Sequence, residues 1–129
     1  MPVVVRDVDE TNFDAEVIKN SGLVIILFHA KWCTASRRLI PLINKLAQAL
    51  SGKAKVVTMD ADVSGGFGSR VYGLRSVPTI LYFHKGQIVE RIKADYRYQG
   101  ERKIERVPNY LGGIAKYREF AETHLAVQN

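Results

Sequence analysis

Cysteine is nearly absent from this 129-residue chain: Cys33 stands alone. One thiol cannot close an internal disulfide, so a cross-linked extracellular framework is excluded and a reducing compartment, the cytoplasm, is the expected location. An intermolecular bridge is left open. Long hydrophobic runs are lacking too. The longest, Gly22 to Phe28, falls far short of the ~20 residues that span a bilayer, and the N-terminal MPVVVRDVDE has none of the zones of a signal peptide. A soluble, unsecreted protein without membrane partners is expected. Charge of one sign is not concentrated in blocks either: the net charge is +6, yet no five like charges run together, which disfavours nucleic acid as a partner. Cys33 and three scattered histidines lack metal-ligand spacing, so neither a metal nor a cofactor is expected.

What is present suits a globular protein: 47% hydrophobic and 25% charged residues, without repeats or low-complexity tracts. Residues 1–129 are expected to form a single domain. Val3 to Val5 reads as a short strand, and Phe13, Val17 and Ile18, after Asp9 and Thr11, as a helix with an N-cap. Leu23 to Phe28 is a continuous apolar run, the signature of a central strand covered on both faces. From Cys33 to Leu50, apolar residues recur every three or four positions, which predicts a helix with Pro41 inside it. Lys55 to Met59 reads as a strand and Ser69 to Tyr72 as a short helix. Val77 to Phe83 and Gln87 to Ile92 read as a hairpin joined at His84-Lys85-Gly86, and Ile114 to Leu125 as a last amphipathic helix. This βαβαβαββα order predicts an α/β fold, a mixed sheet of four to five strands flanked by helices. Residues 93–111, KADYRYQGERKIERVPNYL, read as an insertion before the last helix, either a solvated loop covering a sheet edge or a short helix broken at Pro108. From Arg91 to Arg106 there are six basic residues against three acidic ones, half of the net charge. Tyr96, Tyr98 and Tyr110 are interleaved with them, a composition that suits stacking on nucleic acid or an acidic protein partner as well as a solvated surface.

The chemistry centres on Cys33. It lies where a strand runs into a helix, and unpaired N–H groups and partial positive charge at a helix start favour the thiolate, the reactive form of cysteine. Lys31, Arg37 and Arg38 add positive charge. The alternative is a small buried hydrophobe. Other groups carry plainer readings: His29 as a packed or solvated residue at a strand end, His84 and His124 as surface residues, Asp60 and Asp62 as turn and cap residues, and GGFG at Gly65 to Gly68 as a flexible loop.

The combination of KWCTAS leading into a helix, a proline five residues beyond the serine, and VPT before a hairpin resembles the thioredoxin family over most of the chain. The resemblance implies a thioredoxin fold and thiol–disulfide exchange. It implies that Cys33 is the attacking thiol with Ser36 beside it, and that Trp32, Thr34, Val77 and Pro78 form the substrate surface, Pro78 matching a cis-proline and Val77 pairing its backbone with an extended substrate. The departures are as informative. Ser36 stands where dithiol members carry a resolving cysteine, Leu27 where they bury an aspartate, and Thr58 where a lysine is usual. A serine hydroxyl forms no disulfide, so a mixed disulfide at Cys33 must be released from outside. The implied activity is isomerase-like or deglutathionylating, on protein disulfides or glutathionylated proteins, with an external thiol such as glutathione. A non-catalytic protein-binding module and an engineered Cys-to-Ser substrate trap are the alternatives.

Overall fold

The computed structural model describes residues 5–63, 65–107 and 113–126. Among these residues, seven strands form one sheet in the order β1-β3-β2-β4-β5-β6-β7: β1 (Arg6–Val8), β2 (Leu23–His29), β3 (Ala54–Asp60), β4 (Thr79–His84), β5 (Gln87–Lys93), β6 (Tyr96–Gln99) and β7 (Arg102–Arg106). Helices α1 (Thr34–Ala49), α2 (Phe67–Tyr72) and α3 (Ala115–Ala126) accompany it. β2 is parallel to β3 and antiparallel to β4, and every strand from β4 onward is antiparallel to its neighbour.

The apolar run of β2 is explained by its two buried faces. Leu23, Ile25 and Leu27 enter the cluster shared with Leu39, Ile43 and Leu46 of α1 and with Tyr117 and Phe120 of α3. Val24, Ile26 and Phe28 point the other way, into a second cluster with Phe13, Val17, Leu81 and Phe83. Alternation along a strand sends successive side chains to opposite faces, so both sets must be apolar. Tyr82 on β4 donates its hydroxyl proton to the Tyr117 carbonyl at 2.8 Å, tying α3 to the sheet.

Three expectations about the elements need correction. The sheet has seven strands, not four to five. The segment expected as a loop or short helix supplies β6 and β7; Pro108, Tyr110 and Leu111 lie outside the described residues. Hairpin turns at Ala94-Asp95, where both residues have positive φ, and at Gly100, with φ 61°, reverse the chain there. The first strand among the described residues is Arg6–Val8; of the expected Val3 to Val5, Val3 and Val4 lie outside the described residues and Val5 directly precedes the strand. The expected first helix is reduced to a single π-type turn, Asp14–Ile18. Asp9 caps its approach by accepting from the Thr11 N–H at 2.8 Å, and Phe13 is pinned against Phe67 with ring centroids 4.7 Å apart.

The added hairpin is held by charge rather than by apolar packing. Glu90 on β5 is fully buried and accepts two hydrogen bonds from Arg97 on β6, at 2.6 and 2.8 Å. It also receives Gln99 at 2.9 Å and meets His124 Nε2 of α3 at 2.9 Å. His124 is therefore a half-buried partner of Glu90 rather than a free surface residue. Arg97 continues to Glu105 at 3.1 Å and lies 4.0 Å over the Phe120 ring, and Glu105 reaches Lys116 of α3 at 3.1 Å. Desolvation pushes the Glu90 carboxyl up, but the hydrogen bonds from Arg97, Gln99 and His124 outweigh it, and Glu90 lies below its ordinary value.

Candidate active site

Cys33 is the N-cap of α1, with φ −94° and ψ 114°. Extended geometry there turns the chain out of β2: Cys33 N–H donates to the Ala30 carbonyl at 3.1 Å, and the Cys33 carbonyl accepts from Arg37 N–H at 3.1 Å, the first helical bond. The thiol is half-buried and points its sulfur at the Val77 carbonyl, 3.8 Å away. Val77 and Pro78, joined by a cis peptide bond, precede β4 directly. The loop that follows α2 is thereby brought over the start of α1.

The Cys33 thiol lies below its ordinary value. The largest cause is a hydrogen bond from the Ser36 hydroxyl, followed by the Ser36 backbone N–H; burial opposes them, while the Ala35 N–H and the charge of Arg37 add smaller contributions. Of the three cations near in sequence, Arg37 adds its charge to the causes that favour the anion. Ser36 is completely buried on the inner side of α1. Its Oγ has no partner of good geometry while the sulfur is itself a protonated donor. Ionisation turns the sulfur into an acceptor and gives that hydroxyl proton a destination, so the arrangement is better satisfied with thiolate than with thiol.

Trp32 is 70% exposed yet not loose, because its indole N–H donates to Asp62 Oδ2 at 2.7 Å. Asp60 in turn accepts the Asp62 N–H at 2.8 Å, shaping the turn that presents Asp62. A groove of about 280 Å³ opens between Trp32 and Val77, with Phe28, Gly68 and Leu74 in its floor and walls. Gly68 is required there: a Cβ would meet Leu74 at 2.9 Å and the Phe28 ring at 3.1 Å. The GGFG segment is thus a loop only in its first half, since Phe67 and Gly68 belong to α2. Thr34, the first residue of α1, is exposed and meets the Arg37 guanidinium at 3.5 Å.

A family model described as thioredoxin matches residues 4–111. The chain belongs to the thioredoxin family. Its architecture is a thioredoxin fold with the sheet extended by β6 and β7. Curated relatives are similar at a moderate level. A thioredoxin of Rickettsia bellii is 36% identical over 81 residues, 63% of this chain and 76% of that protein. Thioredoxin 1 of Synechococcus elongatus is 35% identical over 89 residues, 69% and 82% of the two chains. The chloroplastic thioredoxin M5 of rice is 36% identical over 84 residues, 65% of this chain and 48% of that one. Membership places the chain among thioredoxin-type thiol–disulfide redox proteins.

Against the thioredoxin pattern, the interior beneath Cys33 has changed character. Leu27, where an aspartate would be expected, is fully buried in the apolar cluster, opposite Thr58 in the sheet register. Thr58 donates instead to Asp7 Oδ1 at 2.7 Å, and His29 Nε2 lies 3.1 Å from the same oxygen. His29 is thus tied to β1 through Asp7. Sequence reasoning missed Asp62 as the anchor of Trp32, a contact across 30 residues that no local pattern announces. Among the described residues no three of His, Cys, Asp and Glu stand together as a metal site, and no helix is long and apolar enough to cross a membrane.

Proposed function

We propose that the chain is a monothiol thioredoxin-like protein, a single domain acting in a reducing compartment such as the cytoplasm. Its cysteine exchanges with disulfides but does not resolve the product. The observation that carries this reading is the sulfur of Cys33 at the head of α1, faced by the buried Ser36 hydroxyl within and by the Val77 carbonyl without.

The Cys33 thiolate attacks one sulfur of a substrate disulfide. The Cys33–substrate S–S bond forms, the old S–S bond breaks, and the leaving thiolate takes a proton. Trp32 and the backbone of Val77 align an extended substrate strand along the groove, and the Ser36 donor and helix start hold the sulfur's charge until attack. Ser36 has no sulfur to displace the substrate. Release therefore needs a second thiol, either another cysteine of the same substrate, which amounts to isomerisation, or glutathione. On a glutathionylated protein, attack at the glutathione sulfur frees the protein thiol and leaves Cys33 joined to glutathione. A second glutathione then regenerates the Cys33 thiolate and departs as oxidised glutathione. Protein disulfides and glutathionylated proteins are the expected substrates.

Reduction of insulin in the presence of dithiothreitol tests the reading. Turnover well below that of a two-cysteine thioredoxin is expected, together with release of glutathione from a glutathionylated protein that Cys33→Ala abolishes. Insulin turnover equal to the dithiol protein's would contradict it. The exposure of Trp32 supports a second reading, a binding module in which the thiol is incidental. In that case partner capture survives Cys33→Ala unchanged.

A further inference from the structure

The hairpin that extends the sheet sorts its charges by face. On the side covered by α3, Glu90, Arg97 and Glu105 neutralise one another and join Lys116 and His124. The opposite side carries Arg91, Lys93, Tyr96, Tyr98, Lys103 and Arg106, as the strand registers require: Arg91 is paired with Tyr98, Lys93 with Tyr96, and Tyr96 with Arg106. None of these four cations forms an ion pair among the described residues. The face continues toward Cys33. A groove of about 250 Å³ is lined by Arg91, Lys93 and Tyr98 on one side and by Arg75 and Ser76 on the other, with no acidic residue in it. Arg75 and Ser76 also line the groove that runs past Trp32 and Val77. A further hollow of about 400 Å³ lies outward, beside Arg91, Lys93 and Tyr98, with Glu101 of the turn as its single acid.

We propose that this face is a docking surface for an acidic segment of the substrate protein, next to the disulfide or glutathionylated cysteine that Cys33 attacks. Charge complementarity is the argument: unpaired cations along a groove continuous with the reactive site attract carboxylates, raise the encounter rate and set the substrate's direction. The tyrosines favour a peptide over nucleic acid. Lys93 Nζ sits 5.0 Å over the Tyr98 ring and Lys103 Nζ 4.1 Å over the Tyr96 ring, so one face of each ring is occupied by an ammonium group and the rings serve to hold those cations in place.

The proposal rests on the monothiol reading, and its test separates the two. Three peptide disulfides, identical around the cysteine and carrying Glu, Gln or Lys residues several positions away, are reacted with the protein at neutral pH. The rate of mixed-disulfide formation is expressed relative to that of the small neutral 2-hydroxyethyl disulfide. At about 20 mM salt the acidic peptide is expected to react about tenfold faster than the neutral one. The advantage should vanish at about 300 mM salt, in Arg91→Gln/Lys93→Gln, and in Lys103→Glu. Equal rates for the three peptides, or an advantage that persists in the variants and at high salt, would overturn the proposal. Failure of 2-hydroxyethyl disulfide to react would overturn the thiol reading instead. Docking is then read from the fluorescence anisotropy of a cysteine-free acidic peptide, where salt-sensitive binding supports the surface and no binding refutes it. A single-stranded oligonucleotide that binds more tightly than an acidic peptide of equal charge would also refute it.

Discussion

At Cys33, local dipoles matter more than formal charges: the Ser36 hydroxyl and the N–H groups of Ser36 and Ala35 precede Arg37 among the causes that favour the anion. Ser36→Ala removes the largest of them without disturbing the helix start. The thiol then moves back up toward its ordinary value, and alkylation by iodoacetamide at mildly acidic pH slows about fivefold or more, the loss of a hydrogen bond to a charged sulfur. Alkylation at strongly alkaline pH, where thiolate is complete either way, is expected to change little. An unchanged rate at both pH values would assign Ser36 to packing alone. Arg37→Gln is expected to have a smaller effect in the same assay, since that side chain is exposed and its charge is screened.

Among the elements, β6 and β7 carry the clearest stability prediction, because they are attached through Glu90. Removing one partner of a buried pair strands the other, so Arg97→Ala is expected to cost about 3 kcal/mol or more in urea unfolding. The same network sets an acid limit. Glu90 and Glu105 are held below their ordinary values in the folded chain. Their contribution is therefore complete above the unfolded carboxylate value of about 4.3 and is lost as pH falls through the depressed folded values. Stability that falls below about pH 4.5, with a weaker fall in Arg97→Ala, is the expected pattern.

These same strands show why sequence reading stopped where it did. β2 was legible as an unbroken apolar run, α1 by its three- and four-residue apolar spacing, and the β4–β5 hairpin because Gly86 marks its turn. In YRYQ and RKIER the covered face is filled by Arg97 and Glu105 instead of apolar residues, so the alternation that betrays a strand is missing. The turn between β5 and β6 uses Ala94 and Asp95, with no glycine to announce it. The residues around Cys33 were readable because Trp32, Cys33 and Ser36 lie within five positions and Val77-Pro78 is a compact second motif. Asp62, which holds Trp32, and His124, which meets Glu90, act across the fold. Nothing in their neighbouring residues signals either contact.

For the whole molecule, the distribution of charge and sulfur gives one account. A sheet extended by two antiparallel strands presents a basic face that leads to a lone cysteine, and the interior beneath that cysteine has Leu27 and Thr58 where the dithiol pattern would place an acid and a lysine. Supplying a second thiol is then not expected to restore a full dithiol enzyme: Ser36→Cys treated with oxidised glutathione should form an internal disulfide with Cys33, visible as the loss of the mass of two hydrogen atoms relative to its reduced form, yet reduce insulin more slowly than a dithiol thioredoxin. Full activity in that variant would show that Leu27 and Thr58 have no bearing on turnover.

The central claim, an ionised Cys33 that captures disulfides and has no internal means of release, is tested most directly by mass spectrometry of the protein after incubation with oxidised glutathione at neutral pH. The account predicts a single glutathione adduct on Cys33 that persists when small molecules are removed and disappears on adding reduced glutathione. Absence of any adduct, or its loss without an added thiol, would contradict it.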